Sequence, residues 1–89
     1  MPEVWIPTSL QRLTGGEGRV QASGSTIRQV IDSLDQQFPG IKARLCEDGQ
    51  IMDGIAVIVD GEDTALGVLE KVSPESEIHF LQAIGGGCL

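Results

Sequence analysis

One segment of this chain, STIRQVIDSLDQQFPG at residues 25–40, has the spacing of a long amphipathic helix; the other apolar runs are shorter or strand-like. Ile27, Val30, Ile31 and Leu34 recur at i, i+3, i+4 and i+7, and Phe38 extends the same apolar stripe by a turn. Thr26 with Gln29 fits a capping box, and Pro39–Gly40 stop the helix. Arg28, Gln29, Asp32, Ser33 and Asp35 are left to face water. A single such helix must bury its stripe against something else, and the remaining sequence offers strands. EVWIP reads as a first strand ended by Pro7, TSLQRLTGGEG as a turn, and RVQAS as the returning strand of a hairpin. After the helix, IKARLCEDGQ predicts a short helical turn with Ile41 and Leu45 on one side and Gly49 as terminator. The continuous run Ile55–Val59 in GIAVIVDGED predicts a central strand buried on both faces, then a turn. TALGVLEKVSPES reads as an irregular connection with Leu66, Val68, Leu69 and Val72 tucked inward. EIHFLQA is the last strand, with Ile78, Phe80 and Gln82 on one face and His79, Leu81 and Ala83 on the other. The order predicts an α+β domain, a mixed sheet of four to five strands packed on one main helix.

Composition narrows the function. Eighty-nine residues suffice for one modest core and are too few for an enzyme with a deep, enclosed cleft. Trp5, Phe38 and Phe80 are the only aromatic residues, so aliphatic side chains must fill that core. A net charge of −7 argues against nucleic acid or an anionic membrane as partner and favours a basic docking face. With no basic-then-apolar leader and no run approaching the ~20 apolar residues of a membrane span, the cytoplasm is the expected compartment. Cys46 and Cys88 are too few for a disulfide framework and, with the single His79, lack zinc-site spacing, so no bound metal is expected. Cys46 reads as a small, partly buried hydrophobe.

Other motifs lead nowhere. TGGEG lacks the lysine of a phosphate loop and precedes a strand, not a helix. The carboxylates around Gly49–Gly54 and around Gly61 lack calcium-loop spacing, and Cys88 stands second from the end rather than fourth, which excludes prenylation. The feature that remains is AIGGGCL, directly after the last strand. A run without Cβ atoms is thin and reaches backbone angles closed to other residues, so it can thread a narrow channel and offer a carboxylate inside another enzyme. That divides the chain into a domain at 1–84 and a flexible glycine tail at 85–89, which ends in Cys88 and Leu89.

The start EVWIPTSLQRLTGGEGRVQASGSTIRQVIDSL, the strand-turn IAVIVDGED and the finish SPESEIHFLQAIGGG, in that order and at this length, resemble the ubiquitin-like sulfur carrier proteins of the ThiS/MoaD family. The resemblance spans essentially the whole chain and implies a β-grasp fold, in which a sheet grips the helix and the last strand delivers the tail. It implies no cofactor bound by the chain itself and no catalytic residue, because the carrier is a co-substrate. An adenylating E1-like enzyme would use ATP to activate the terminal glycine carboxylate. A sulfur donor would then displace AMP to leave a thiocarboxylate, and a downstream synthase would receive the sulfur.

By that resemblance Gly86 and Gly87 match the family's di-glycine, Gly85 is an extra small residue, and Gly87 is the sulfur-carrying terminus. Cys88 and Leu89 depart from the pattern, since Gly87 is then an amide and an amide is not adenylated as a carboxylate is. Some members carry such an extension, removed by a JAMM-type metalloprotease that holds zinc, which implies a proform activated by cleavage of the Gly87–Cys88 bond. Two alternatives use the same residues: a protein modifier joined through Gly87 to target lysines, and a plain interaction module with an inert tail. Leu81 and Val57 are the candidates for an exposed docking patch near the last strand.

Overall fold

The helix stripe finds its counterpart in one face of a five-stranded sheet. The computed structural model describes residues 1–52, 54–64 and 66–82. In chain order these form β1 (Glu3–Trp5), β2 (Arg19–Gln21), α1 (Ile27–Gln37), α2 (Ile41–Leu45), β3 (Cys46–Glu47), β4 (Gln50–Ile51), β5 (Ile55–Val59), β6 (Glu62–Asp63) and β7 (Glu77–Gln82). The sheet order is β2-β1-β7-β5-β6, with β3 and β4 forming a separate two-stranded hairpin. Strand β7 lies at the centre, parallel to β1 and antiparallel to β5. This is the expected α+β architecture, a mixed sheet packed on one main helix.

Helix α1 begins and ends where its sequence dictates. Thr26 Oγ1 accepts from the Gln29 N–H (3.3 Å), and Gln29 Oε1 accepts in return from the Ser25 N–H (2.8 Å), a capping box shifted by one residue on its return arm. Just before it, Gly24 has φ +146° and runs so close to the helix that a Cβ would lie 2.7 Å from the Val30 backbone nitrogen. At the far end Asp35 Oδ1 accepts from the backbone N–H groups of Gly40 (3.1 Å) and Lys42 (3.2 Å), joining α1 to α2. Ile27, Val30, Ile31 and Leu34 are all buried, meeting Val4, Val57, Ile78 and Phe80 of the sheet and Ile41 and Leu45 of α2 in one core.

Four expectations change in three dimensions. Residues 8–14 form a 3₁₀ helix rather than a turn, with Leu10 and Thr14 buried and Gly15 closing it at φ +69°. Only Val57 of β5 is buried while its neighbours are half-exposed, because α1 covers one face of the sheet and leaves the other open. Val68 and Val72 do turn inward, but Leu66 and Leu69 are exposed. The fourth concerns Asp48–Gly49, which forms a two-residue hairpin turn between β3 and β4 where Gly49 was expected to end a helical turn. Asp60–Gly61 makes the expected turn between β5 and β6, and all four residues have positive φ. Asp-Gly suits such turns because aspartate tolerates the left-handed region and glycine occupies it freely. The predicted boundary at residue 84 lies outside the described residues.

Candidate functional site

The predicted arm springs from β7, and the register shows what surrounds its root. Ile78 and Phe80 point into the core against Val59 and Val57, so alternation sends His79 and Leu81 to the open face. There His79 is flanked by Trp5 of β1 and Ile58 of β5, and Leu81 pairs with Ala56. Arg19 of β2 opposes Trp5, and Asp63 of β6 opposes Ile58. One row therefore crosses all five strands: Arg19, Trp5, His79, Ile58, Asp63.

The row is ordered by its own chemistry. The Trp5 and His79 rings stack nearly parallel, 8° apart with centroids at 4.4 Å, a contact of the order of 1 kcal/mol beyond the area it buries. The Arg19 guanidinium lies 5.7 Å from the Trp5 ring centre, and its Nε is 3.5 Å from Glu3 Oε2. Next to them Leu81 is 49% exposed. Leu81, Trp5 and His79 border a groove whose far wall is Pro7, Thr8 and Ser9. The 3₁₀ segment thus forms one side of the surface beside the end of β7.

Leu81 is exposed as expected of a docking residue, whereas Val57 is 3% exposed and belongs to the core. The correction follows from register: Val57 faces Phe80, which is a core residue, while Ala56 faces Leu81. Gly85, Gly86, Gly87, Cys88 and Leu89 lie outside the described residues. The Trp5–His79 stack and Arg19 were missed by sequence reasoning. A tryptophan and a histidine at matching positions of two strands give that signal only once β1 and β7 are known to be parallel neighbours.

The beginning of β7 is fixed by the turn before β6. Asp60 Oδ1 accepts from the Glu77 N–H (2.9 Å), Oδ2 accepts from the buried Ser76 hydroxyl (3.1 Å), and the Asp60 N–H donates to the Glu77 carbonyl (2.8 Å). Cys46 is partly buried, and that burial pushes its thiol above the ordinary value, although Lys42 and Arg28 pull the other way. Burial thus favours the protonated thiol, in keeping with a packing role. Among the described residues no group of three or more His, Cys, Asp or Glu side chains is placed to hold a metal, and no helix is long and apolar enough to cross a membrane.

The fold is that of known proteins. The chain is 33% identical to the sulfur carrier protein CysO of Mycobacterium tuberculosis, covering 94% of this chain and 96% of that one. Its fold superposes on a chain of the Amycolatopsis orientalis BexX/CysO complex with a TM-score of 0.91 and 36% identity, covering 98% of this chain and 100% of that one. For the small archaeal modifier protein SAMP1 of Haloferax volcanii the TM-score is 0.74 at 26% identity, with 97% and 98% covered. The family model of the ThiS family matches residues 4–87, from the first strand through the third glycine. With its β-grasp, ubiquitin-like fold, the chain belongs to the ThiS family.

Proposed function

We propose that this protein is a sulfur carrier in a biosynthetic pathway, acting as a protein co-substrate and not as an enzyme. Cleavage of the Gly87–Cys88 amide by a JAMM-type zinc metalloprotease frees the Gly87 carboxylate. An adenylating enzyme then joins that carboxylate to AMP from ATP, with release of pyrophosphate. Sulfur from a donor attacks the acyl carbon, AMP leaves, and the Gly87 thiocarboxylate passes its sulfur to an acceptor held by a downstream synthase. The domain's part is to carry the arm on a fixed base: β7 is held between β1 and β5, and Leu81, Trp5 and His79 offer the docking surface on its open face.

The observation that carries the reading is the extent of the family match, which ends at Gly87 and leaves Cys88 and Leu89 beyond it. The similarity to CysO proteins, which are named as sulfur carriers, supports the sulfur chemistry. The test is intact-mass measurement after incubation with the protease, the adenylating enzyme, ATP and a sulfide donor. The expected product ends at Gly87 and is heavier by one oxygen-to-sulfur exchange. Efficient thiocarboxylate formation on a chain that keeps Cys88 and Leu89 would sink the proform.

A second reading is favoured by the structural likeness to SAMP1, a protein named as a modifier. Activation would be the same, but the acyl group would go to a lysine amine of a target. High-mass conjugates that disappear when Gly87 is deleted would mark that route.

A further inference from the structure

The open sheet face is not the only place where this domain shows large apolar side chains to water. Leu66 and Leu69 are 59% and 64% exposed, more than Leu81 at 49%. Their shared position is built into the backbone. The Leu69 N–H donates to the Leu66 carbonyl (3.0 Å), closing a turn whose end residues lie within about 7 Å of each other. Gly67, at φ +56°, permits the reversal, and between the leucines Val68 plugs into the core. Thr64 holds the turn from one side: its Oγ1 accepts from the Leu66 N–H (3.1 Å), and its hydroxyl donates to the Glu70 carboxylate. Beside it, β4 contributes Gln50 and half-buried Ile51 to a groove that both leucines line. A braced turn that buries one apolar side chain and holds two others out makes a contiguous patch, which marks an interaction surface in a way that scattered single leucines do not.

The charges around it indicate what covers it. The segments framing the patch, residues 46–51 and 61–71, contain Glu47, Asp48, Glu62, Asp63 and Glu70 against Lys71. On the α1 side Arg28 and Lys42 line a pocket with Gly49 and Val68, which leaves the balance acidic. A second copy would bring an identical acidic ring against this one in a two-fold contact, which like charges oppose. Pairing along the adjacent sheet edge is also blunted, because β6 is two residues long and both are acidic. An apolar centre within an acidic rim fits a surface of opposite design.

We propose that Leu66 and Leu69, with Ile51 beside them, form a second docking surface whose occupant is a partner enzyme presenting an apolar socket rimmed by lysine and arginine. The proposal rests on the carrier reading and deepens it. An enzyme that takes the arm covers the sheet face at its base, and the two leucines give the domain a second point of grip built from other residues.

The test uses the full chain with its adenylating and sulfur-accepting enzymes. The double variant Leu66→Ser/Leu69→Ser removes the apolar centre, and Glu47→Lys/Glu62→Lys reverses charge on the rim without touching the row on the open sheet face. All four side chains are exposed, so both variants are expected to keep the wild-type Tm. Binding to at least one of the two enzymes should weaken about tenfold or more in the serine variant, as for a central apolar anchor. The lysine variant should weaken the same complex, more at low salt than at high. Kd values within about twofold of wild type for both enzymes would overturn the assignment. So would sedimentation showing a wild-type dimer that the serine variant loses, since the occupant would then be a second copy. Thiocarboxylate formation on the wild-type chain is followed in parallel: if sulfur is acquired and the variants bind normally, the second surface alone falls. If no sulfur is acquired, the carrier reading falls and this surface with it.

Discussion

Replacing Asp60 by alanine tests how the start of β7 is held. The change removes both carboxylate contacts to the start of β7, from the Glu77 N–H and the Ser76 hydroxyl. Asp60 is exposed, so water competes and each bond is worth on the order of 0.5–1 kcal/mol. Alanine must also adopt φ +52°, where aspartate is tolerated and a methyl side chain gains no local hydrogen bond, a cost of about 1 kcal/mol. The sum is about 2–3 kcal/mol, on the order of 10–20 °C in Tm for a domain of this size. Asp60→Asn keeps the backbone preference and one acceptor, so it should lose about 1 kcal/mol. Asp63→Ala, an exposed edge position, is the control and should stay within about 0.5 kcal/mol. Urea unfolding with a common m-value measures all three. If Asp60→Ala proved no more costly than Asp63→Ala, the turn would not be what fixes β7, and the reasoning would fail.

Gly24→Ala should cost about 3 kcal/mol or more by the same assay, since a Cβ meets Gln29 and Val30 backbone atoms at 2.9 and 2.7 Å and neither can swing aside. Alkaline pH should weaken the fold. Burial raises the Cys46 thiol above 9.0, and the hydrogen bond to Asp32 raises Lys42 above 10.5, so both groups hold their protons more tightly folded than unfolded. Their stabilisation is complete below about pH 9 and is lost as pH climbs through the folded values, and Cys46→Ala should make that decline shallower. Iodoacetamide, mapped by mass, should label Cys46 more slowly in the native chain than in urea. In the proposed carrier role, Gly86→Leu thickens the arm, and thiocarboxylate yield should fall by about tenfold or more.

Helix α1 was legible because its whole signal is local: the stripe, the Thr26–Gln29 cap and the Pro39–Gly40 stop lie within one window. The strands were legible as runs of β-branched residues, and their faces only where a partner did not matter. Val57 looked the same as Ile58 in sequence, and the choice between core and docking face came from pairing with Phe80 across the sheet. Leu66 and Leu69 misled because apolar residues in a loop are assumed to point inward, whereas the left-handed Gly67 turns the pair out and leaves Val68 to fill the core. The β3–β4 hairpin was readable in principle from Asp48–Gly49 and was passed over because its strands have two residues each. Of the site, Leu81 was legible as an exposed residue of the last described strand, while the glycine tail lies outside the described residues. The Trp5–His79–Arg19 row was not legible, because it joins positions up to 74 residues apart, from Trp5 to His79 (79 − 5).

The parallel pairing of β1 with β7 makes completion of the domain depend on its last strand. Until Glu77–Gln82 slides between β1 and β5 the sheet has no middle, and Ile78 and Phe80 are missing from the core. Local fraying is the usual fate of a chain's end, but here the final strand cannot come loose without opening everything else. Amide protons in β7 should therefore exchange with solvent only through global unfolding. In the proposed carrier role, a chain that is truncated, nascent or denatured has no fixed base for its arm, so a partner that reads both the sheet and the arm would accept only finished molecules.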